Sequence, residues 1–426
     1  MKRFTLVLIA AAVFPLCAAA QDSAEVLSRM KALEDRIQAL EQEIQVLKGQ
    51  PPAVSAAAPA PQPAPAEAPQ VAAQSTSVLG GAGGAASKVL NPDVAVIGDF
   101  LGAAGNSAGH PTPALEMHES EAAFQAILDP YARADFFLSF GEEGVTLEEG
   151  YLTFPALKGG FQLRVGKMRA AFGKVNTLHN HVLPWADRPL VTGNLVGGED
   201  GIDDAGLSLT RIIPAPKGLF LEGTAQVFRG DSGDLFHSYK RDNLSTVGHL
   251  RAYRDIGEST NLDLGVSYSR GHSAIAADVI DQLYGMDATV RWKPLRRAIY
   301  HSFVGRSEVI WSRLEQASRT ATPFGYYVSG EYQFARRWFA GARFDRSDRL
   351  GSTAVDASGN LLVNSAILNA ALLQDTGGSF VLTYWPSEFS QIRGQLRRTS
   401  YGENRTANEF LFQFQFSIGA HGAHPF

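Results

Sequence analysis

The chain has 426 residues, a formal net charge of -5 from 43 acidic and 38 basic side chains, and one cysteine. An acidic balance excludes an ordinary nucleic-acid binder, which carries a basic surplus, and one cysteine excludes a disulfide framework. Mean hydropathy is close to neutral, and beyond the N-terminus no run of about 18 apolar residues occurs, so no transmembrane helix is expected.

Residues 1–20 read as a secretory signal: Lys2 and Arg3, an apolar stretch from Thr5 to Leu16, and Ala18-Ala19-Ala20 before Gln21. Cys17 would suggest a lipoprotein, but Phe14-Pro15-Leu16 lacks the small residues of a lipobox. Cleavage after Ala20 leaves a mature chain without cysteine.

Residues 21–49 form a short α-helical coiled coil. Val26, Met30, Leu33, Ile37, Leu40, Ile44 and Leu47 alternate in steps of four and three, with Arg36 at g and Glu41 at e. Ile at a with Leu at d favours a dimer, whereas Arg36 to Glu41 looks like a trimerisation motif. A homotrimer is expected because many barrels of the size described below are trimeric. The rival is a single amphipathic helix lying on another surface. Residues 50–90 are a Pro/Ala/Gly-rich linker, from Pro51-Pro52 through the Ala-Pro run to Gly80-Gly81, too poor in bulky apolar residues to form a core.

From residue 91 to 426 strand follows strand. Tight turns are expected at Asp129-Pro130, Pro155 to Gly160, Pro214 to Gly218, Asp255 to Thr260, Lys293 to Arg297, Ala335 to Arg337 and Trp385 to Glu388. These seven turns alternate with eight longer loops, the longest near Phe172 to Asp204 and Leu350 to Gly377, which gives sixteen strands with both ends on the short-turn side. The fold class is therefore all-β, a sixteen-stranded antiparallel transmembrane β-barrel of outer-membrane type. The alternation agrees with it. Leu264, Val266 and Tyr268 oppose Asp263, Ser267 and Ser269, and Phe410, Phe412, Phe414, Phe416 and Ile418 oppose Gln413, Gln415 and Ser417. A soluble β-sandwich would also bury an apolar face, but its core would not accept the recurring inner charges unpaired. The last strand is expected to pair with the first, near Asn91 to Phe100, removing both free edges. The terminal Phe426 resembles the signal read by barrel-insertion machinery.

The segment Glu148-Glu149-Gly150-Tyr151-Leu152-Thr153-Phe154, followed by Leu163-Arg164-Val165-Gly166-Lys167-Met168-Arg169-Ala170-Ala171-Phe172-Gly173, resembles the phosphate-selective porin O/P family. The resemblance implies a trimeric diffusion porin whose third external loop folds into the pore, with arginines along the wall. Arg133, Arg164, Arg251, Arg291, Arg306, Arg343, Arg393 and Arg397 fall at inward positions, and Glu308 pairs with Arg306 on one lumen face. The loop departs from that pattern: Lys174 and Arg188 stand against Asp187, Glu199, Asp200, Asp203 and Asp204, an acidic excess that would attract cations and repel phosphate. Gly197-Gly198 and Gly201 let it bend across the lumen.

In the same loop Asn176, His179, His181 and Asp187 offer a His-x-His and a carboxylate to a divalent metal, although solvated histidines are the commoner outcome. His421 and His424 form a second pair, read as tail packing. There is no Gly-x-Ser-x-Gly elbow, phosphate loop or His-Glu-x-x-His, so neither an enzyme nor a cofactor is expected. The chain reads as a passive porin for small hydrophilic solutes or ions, surrounded by outer-membrane lipid, with the coiled coil in the periplasm. The alternative is a structural anchor that tethers the envelope through coiled-coil contact with peptidoglycan.

Overall fold

The computed structural model describes residues 92–106, 113–141, 144–233, 235–274, 278–315, 320–350, 372–402 and 404–419. The signal segment, coiled coil, linker, His421, His424 and Phe426 lie outside them.

Among the described residues one sheet of seventeen strands forms. One of these, Thr320–Ala321, is a two-residue extension beside its neighbour. The remaining sixteen close into an antiparallel barrel. They are β1 Asp93–Asn106, β2 Leu115–Asp129, β3 Ala132–Gly141, β4 Gly144–Leu157, β5 Phe161–Arg169, β6 Asp203–Ile213, β7 Leu219–Phe228 and β8 Ser245–Gly257. The second half comprises β9 Thr260–His272, β10 Ile280–Trp292, β11 Ser302–Glu315, β12 Phe324–Ala335, β13 Trp338–Leu350, β14 Leu372–Ser387, β15 Ser390–Tyr401 and β16 Arg405–Gly419. Each strand pairs with its sequence neighbours. β16 pairs with β1 from Ala95↔Gly419 to Asn106↔Asn408, so neither leaves a free edge. β1 runs further than the expected Asn91 to Phe100. β14 begins at Leu372, inside the stretch assigned to the longest external loop.

The period of 2 separates two faces. On β9 Leu264, Val266 and Tyr268 are exposed outward, while Asp263, Ser267 and Ser269 are buried inward. On β16 Phe410, Phe412, Phe414 and Ile418 face out, and Gln413, Gln415 and Ser417 face in. Aromatic rings gather at both ends of the apolar outer band. Tyr284 contacts both Tyr268 and Trp311 towards the long-loop end, and Trp338 stacks on Tyr384 at 4.5 Å towards the short-turn end. Two such girdles are the mark of a membrane barrel.

The inner face is not wholly polar. Val247, Leu283, Ile310, Tyr327 and Val381 point inward and pack with Phe172, Leu183, Trp185, Val191 and Leu195 of the 170–202 connection. This apolar core inside the barrel was not foreseen, because alternation alone reads inner positions as water-facing.

Candidate functional site

The segment between β5 and β6 carries two 3-10 turns, Val175–Thr177 and Asn180–Val182, and one short helix, α1 (Leu190–Leu195). Asn176 buckles its two ends together. Its Nδ2 donates to the carbonyls of Ala170 (2.9 Å) and Ile202 (3.1 Å), and its Oδ1 accepts from the Ile202 N–H (2.9 Å). The chain reverses here through Gly201 at φ +67°, where a Cβ would overlap Asn176 Oδ1. Gly197 and Gly198 also have positive φ, as the bend requires.

From this buckle the segment bonds to inner faces around the barrel. Towards β9 and β11, Lys174 Nζ donates to Asp263 at 2.7 Å, the Gly173 N–H donates to Ser267 Oγ at 2.9 Å, and the Lys174 and Val175 N–H groups donate to Glu308 Oε1 at 2.6 and 2.7 Å. Glu308 therefore turns to the loop backbone and does not form the wall pair expected with Arg306. Towards β13 and β15, Asp187 Oδ2 accepts from Arg343 and Arg397, each at 2.8 Å. Burial works to raise the Asp187 pKa, but the two guanidiniums outweigh it and hold the carboxyl down to about 2. Arg343 also lies over the Trp185 ring at 4.8 Å, and Arg393 donates to the Trp185 carbonyl at 3.1 Å.

Towards β2 and β4 the contacts are acidic. His179 Nδ1 lies 2.7 Å from Glu121 and 3.0 Å from Glu148, and its Nε2 lies 2.7 Å from Glu149. Burial opposes the imidazolium, but these carboxylates hold the His179 pKa well above the ordinary imidazole range. Two irregularities in pairing make this possible. The β1–β2 register steps from Asp99↔Glu119 to Phe100↔Met117, skipping His118, and the β3–β4 register steps from Phe137↔Glu149 to Leu138↔Leu147, skipping Glu148. Such bulges re-aim side chains. Consecutive residues Glu148 and Glu149 thus both reach His179, which a regular strand forbids.

The remaining charges disperse. Arg188 stays within the segment, donating to Asn180 Oδ1 and to the Val175 and Leu178 carbonyls; burial and neighbouring Arg169 push its pKa down to about 10. Glu199 takes His118 and Asn180, each at 2.9 Å, and the His118 contact with its charge lowers the Glu199 pKa. Asp203 and Asp204 belong to β6. Asp203 pairs with Lys167 at 2.8 Å, and Asp204 accepts from the Gly230 and Asp231 N–H groups. Asp200 is exposed, and its carbonyl accepts from Arg169 at 2.8 Å. The five acids thus form no single negative surface, because each is drawn to a different partner or to the surface. The expected metal set also divides: Asp187 sits with arginines and Asn176 in the buckle, away from His179 and His181.

Among the wall arginines, Arg251 binds Asp263 through two nitrogens at 2.9 Å, with Arg291 at 3.8 Å from the same carboxylate. Arg133 pairs with Asp135 at 2.6 Å, Arg397 with Glu409 at 2.6 Å, and Arg164 lies over Tyr151 at 5.1 Å. Arg306 is half-buried on the inner face.

A protein of Aquifex aeolicus (strain VF5), described as an uncharacterized protein, is 30% identical over 352 residues, 73% of this chain and 70% of that one. The chain belongs to that protein's family. No family model matches it. Solved structures share the fold. A loop-deletion form of OmpT, an outer membrane protein of Vibrio cholerae, aligns with a TM-score of 0.52 at 9% identity, covering 77% of this chain and 99% of that one. An anion-selective porin from Comamonas acidovorans gives 0.52 at 9% identity, with the same coverage. In-vitro folded OmpT in its trimer form gives 0.51 at 10% identity, again over 77% and 99%. At such identities the likeness establishes the barrel fold alone. It assigns none of the charges inside.

Glu119, Glu121, Glu148 and Glu149 were missed as site residues by sequence reasoning. A signal for the first two exists: Glu119-Ser120-Glu121 places two carboxylates on one face of a strand, as His179-Asn180-His181 spaces two imidazoles. The bulges left none.

Proposed function

We propose that the protein is a passive porin of an outer membrane, passing small hydrophilic solutes or ions, with the 170–202 segment as its constriction. The observation that supports this reading is the attachment of that segment to separate inner walls, by Lys174 on Asp263 and by Asp187 on Arg343 and Arg397. A loop fixed at both places narrows the lumen to a defined gap. Because its acids are mostly matched by bases, the gap carries little net charge and discriminates by size before charge. In the same reading the signal segment directs export and the apolar band meets lipid. The barrels associate as a homotrimer, and the coiled coil lies in the periplasm within reach of peptidoglycan. The likeness to the phosphate-selective porin O/P family enters without its phosphate preference, and no catalytic step is assigned.

A second reading, the barrel as envelope anchor, draws support from the apolar packing of Phe172, Trp185, Leu283 and Tyr327 inside the barrel. Planar-bilayer recording separates the two. Stepwise conductance, in multiples of three for a trimer, is expected of the porin. A barrel that inserts and stays silent overturns it in favour of the anchor.

A further inference from the structure

The β2 contact of the loop brings together more than an ion pair. Glu119 and Glu121 stand two residues apart on β2, His179 and His181 two apart on the loop. One ligand atom from each lies within 4.8 Å of all the others, and all four residues are buried. We propose that these four side chains bind a divalent first-row transition cation of the zinc class, and that the ion pins the loop to β2.

The His181 distances fit an ion better than hydrogen bonds. His181 Nδ1 lies 3.5 Å from Glu119 Oε1 and 3.8 Å from Glu121 Oε2. Both are beyond a good hydrogen bond. They are near the ligand–ligand edge of about 3.3–3.6 Å that metal–ligand bonds of about 2.0–2.2 Å produce in a tetrahedron. Glu119 is only 4% exposed, and its carboxylate makes no short hydrogen bond among the described residues, its contact with His181 Nδ1 being 3.5 Å long. A buried carboxylate held by so long a contact is poorly compensated, and a cation placed between the two strand residues and the loop removes that cost.

The outer layer is also built. A metal-bound imidazole ordinarily gives its other N–H to a carboxylate, which fixes ring orientation and raises ligand basicity. His179 Nε2 faces Glu149 at 2.7 Å, and the second Glu149 oxygen accepts the Arg169 N–H at 3.1 Å. Phe137 lies against the His179 ring with centroids 5.3 Å apart. His179 Nδ1 and Glu121 are 2.7 Å apart, the distance of a shared proton. Metal binding replaces that proton and releases it to solvent. Two imidazoles disfavour calcium and magnesium, which take oxygen ligands, and suit zinc, iron, cobalt or nickel.

The test is Zn²⁺ binding to the refolded full-length protein, by calorimetry after chelator treatment and by elemental analysis after dialysis. Expected is one equivalent per barrel, with affinity at least tenfold weaker in Glu119→Gln and in His181→Ala. Calcium at equal concentration is expected not to compete. Co²⁺ loaded into the unaltered protein supplies a readout independent of variant folding, since four-coordinate Co²⁺ absorbs strongly in the visible. Absence of stoichiometric uptake overturns the proposal. So does binding that persists in both variants but disappears in His421→Ala with His424→Ala. None of these readouts requires the barrel to conduct, so a silent channel leaves the metal result standing.

Discussion

Asp187 accepts a hydrogen bond from Arg343 at 2.8 Å across 156 positions of sequence. The same oxygen accepts from Arg397 at 2.8 Å, and Gln395 Oε1 accepts the Ala186 N–H at 2.9 Å. Two strands of the wall therefore converge on one point of the loop. The guanidiniums are tied in turn to Asp345 and Glu409, so the anchor is a chain of alternating charges with a carboxylate at each end.

Removing the carboxylate leaves Arg343 and Arg397 each with one carboxylate partner, Asp345 and Glu409, in a largely buried site. Deleting one member of a buried pair costs about 3–5 kcal/mol, and the cost here falls on loop docking, because the barrel ladder is untouched. Asp187→Ala is expected to raise open-channel conductance and current noise and to expose residues 183–196 to protease. Melting of the barrel itself should change little. Unchanged conductance and cleavage would remove Asp187 as the anchor.

Acid acts on the same contact. The folded pKa of Asp187 is depressed to about 2 by Arg343 and Arg397, against about 3.9 for a free carboxylate. A depressed group contributes stability that is fully present above the unfolded pKa and is lost as pH falls through the folded one. That contribution is about 2–3 kcal/mol. Loop anchoring should hold from neutral pH to about 4, weaken below it, and be lost near pH 2. Single-channel recording across that range checks this, with Asp187→Asn expected to show no such transition.

Much of the barrel was legible because alternation and turn chemistry are local. Leu264, Val266 and Tyr268 declare an outer face by themselves, and the seven short turns carry Pro, Gly or charge where expected. The loop was legible only as a segment. Along the chain its acids read as one surface, yet Asp204 turns to the Gly230 and Asp231 amides and Asp187 to β13 and β15. Those partners lie far off in sequence, and nothing near Asp187 announces them. The bulges at His118 and Glu148 were equally hidden, because a skipped residue in a ladder depends on the neighbouring strand.

That dispersal changes the expectation for selectivity. Glu199→Gln with Asp200→Asn removes the two exposed acids of the loop and should leave the reversal potential in a salt gradient within error of the parent. Asp204→Asn should act on stability instead, since Asp204 Oδ2 accepts two backbone N–H groups at 2.8 and 2.7 Å. Charge-assisted bonds of this kind contribute about 1.5–3 kcal/mol. A lowered melting temperature with unchanged selectivity is the outcome to look for, and a strong loss of cation preference would restore the acidic constriction.

The buckle at Asn176 makes the sharpest structural prediction. In Asn176→Ala the Ala170 carbonyl keeps no side-chain donor, and Ile202 loses both a donor to its carbonyl and an acceptor for its N–H. Of these groups only the Ile202 N–H is left unsatisfied, at a cost of about 1–3 kcal/mol, because the Phe172 N–H still donates to the Ala170 carbonyl and the Ala170 N–H to the Ile202 carbonyl, each at 2.8 Å. Gly201→Ala attacks the same joint from the other side, because φ is +67° there and the new methyl group meets Asn176 Oδ1. Each substitution should speed amide exchange across residues 170–202 while strands β8 to β16 keep their protection. The double variant should be little worse than either single one, since both break one contact. Full additivity would mean that Asn176 and Gly201 act separately and that the loop is closed by something other than this pair.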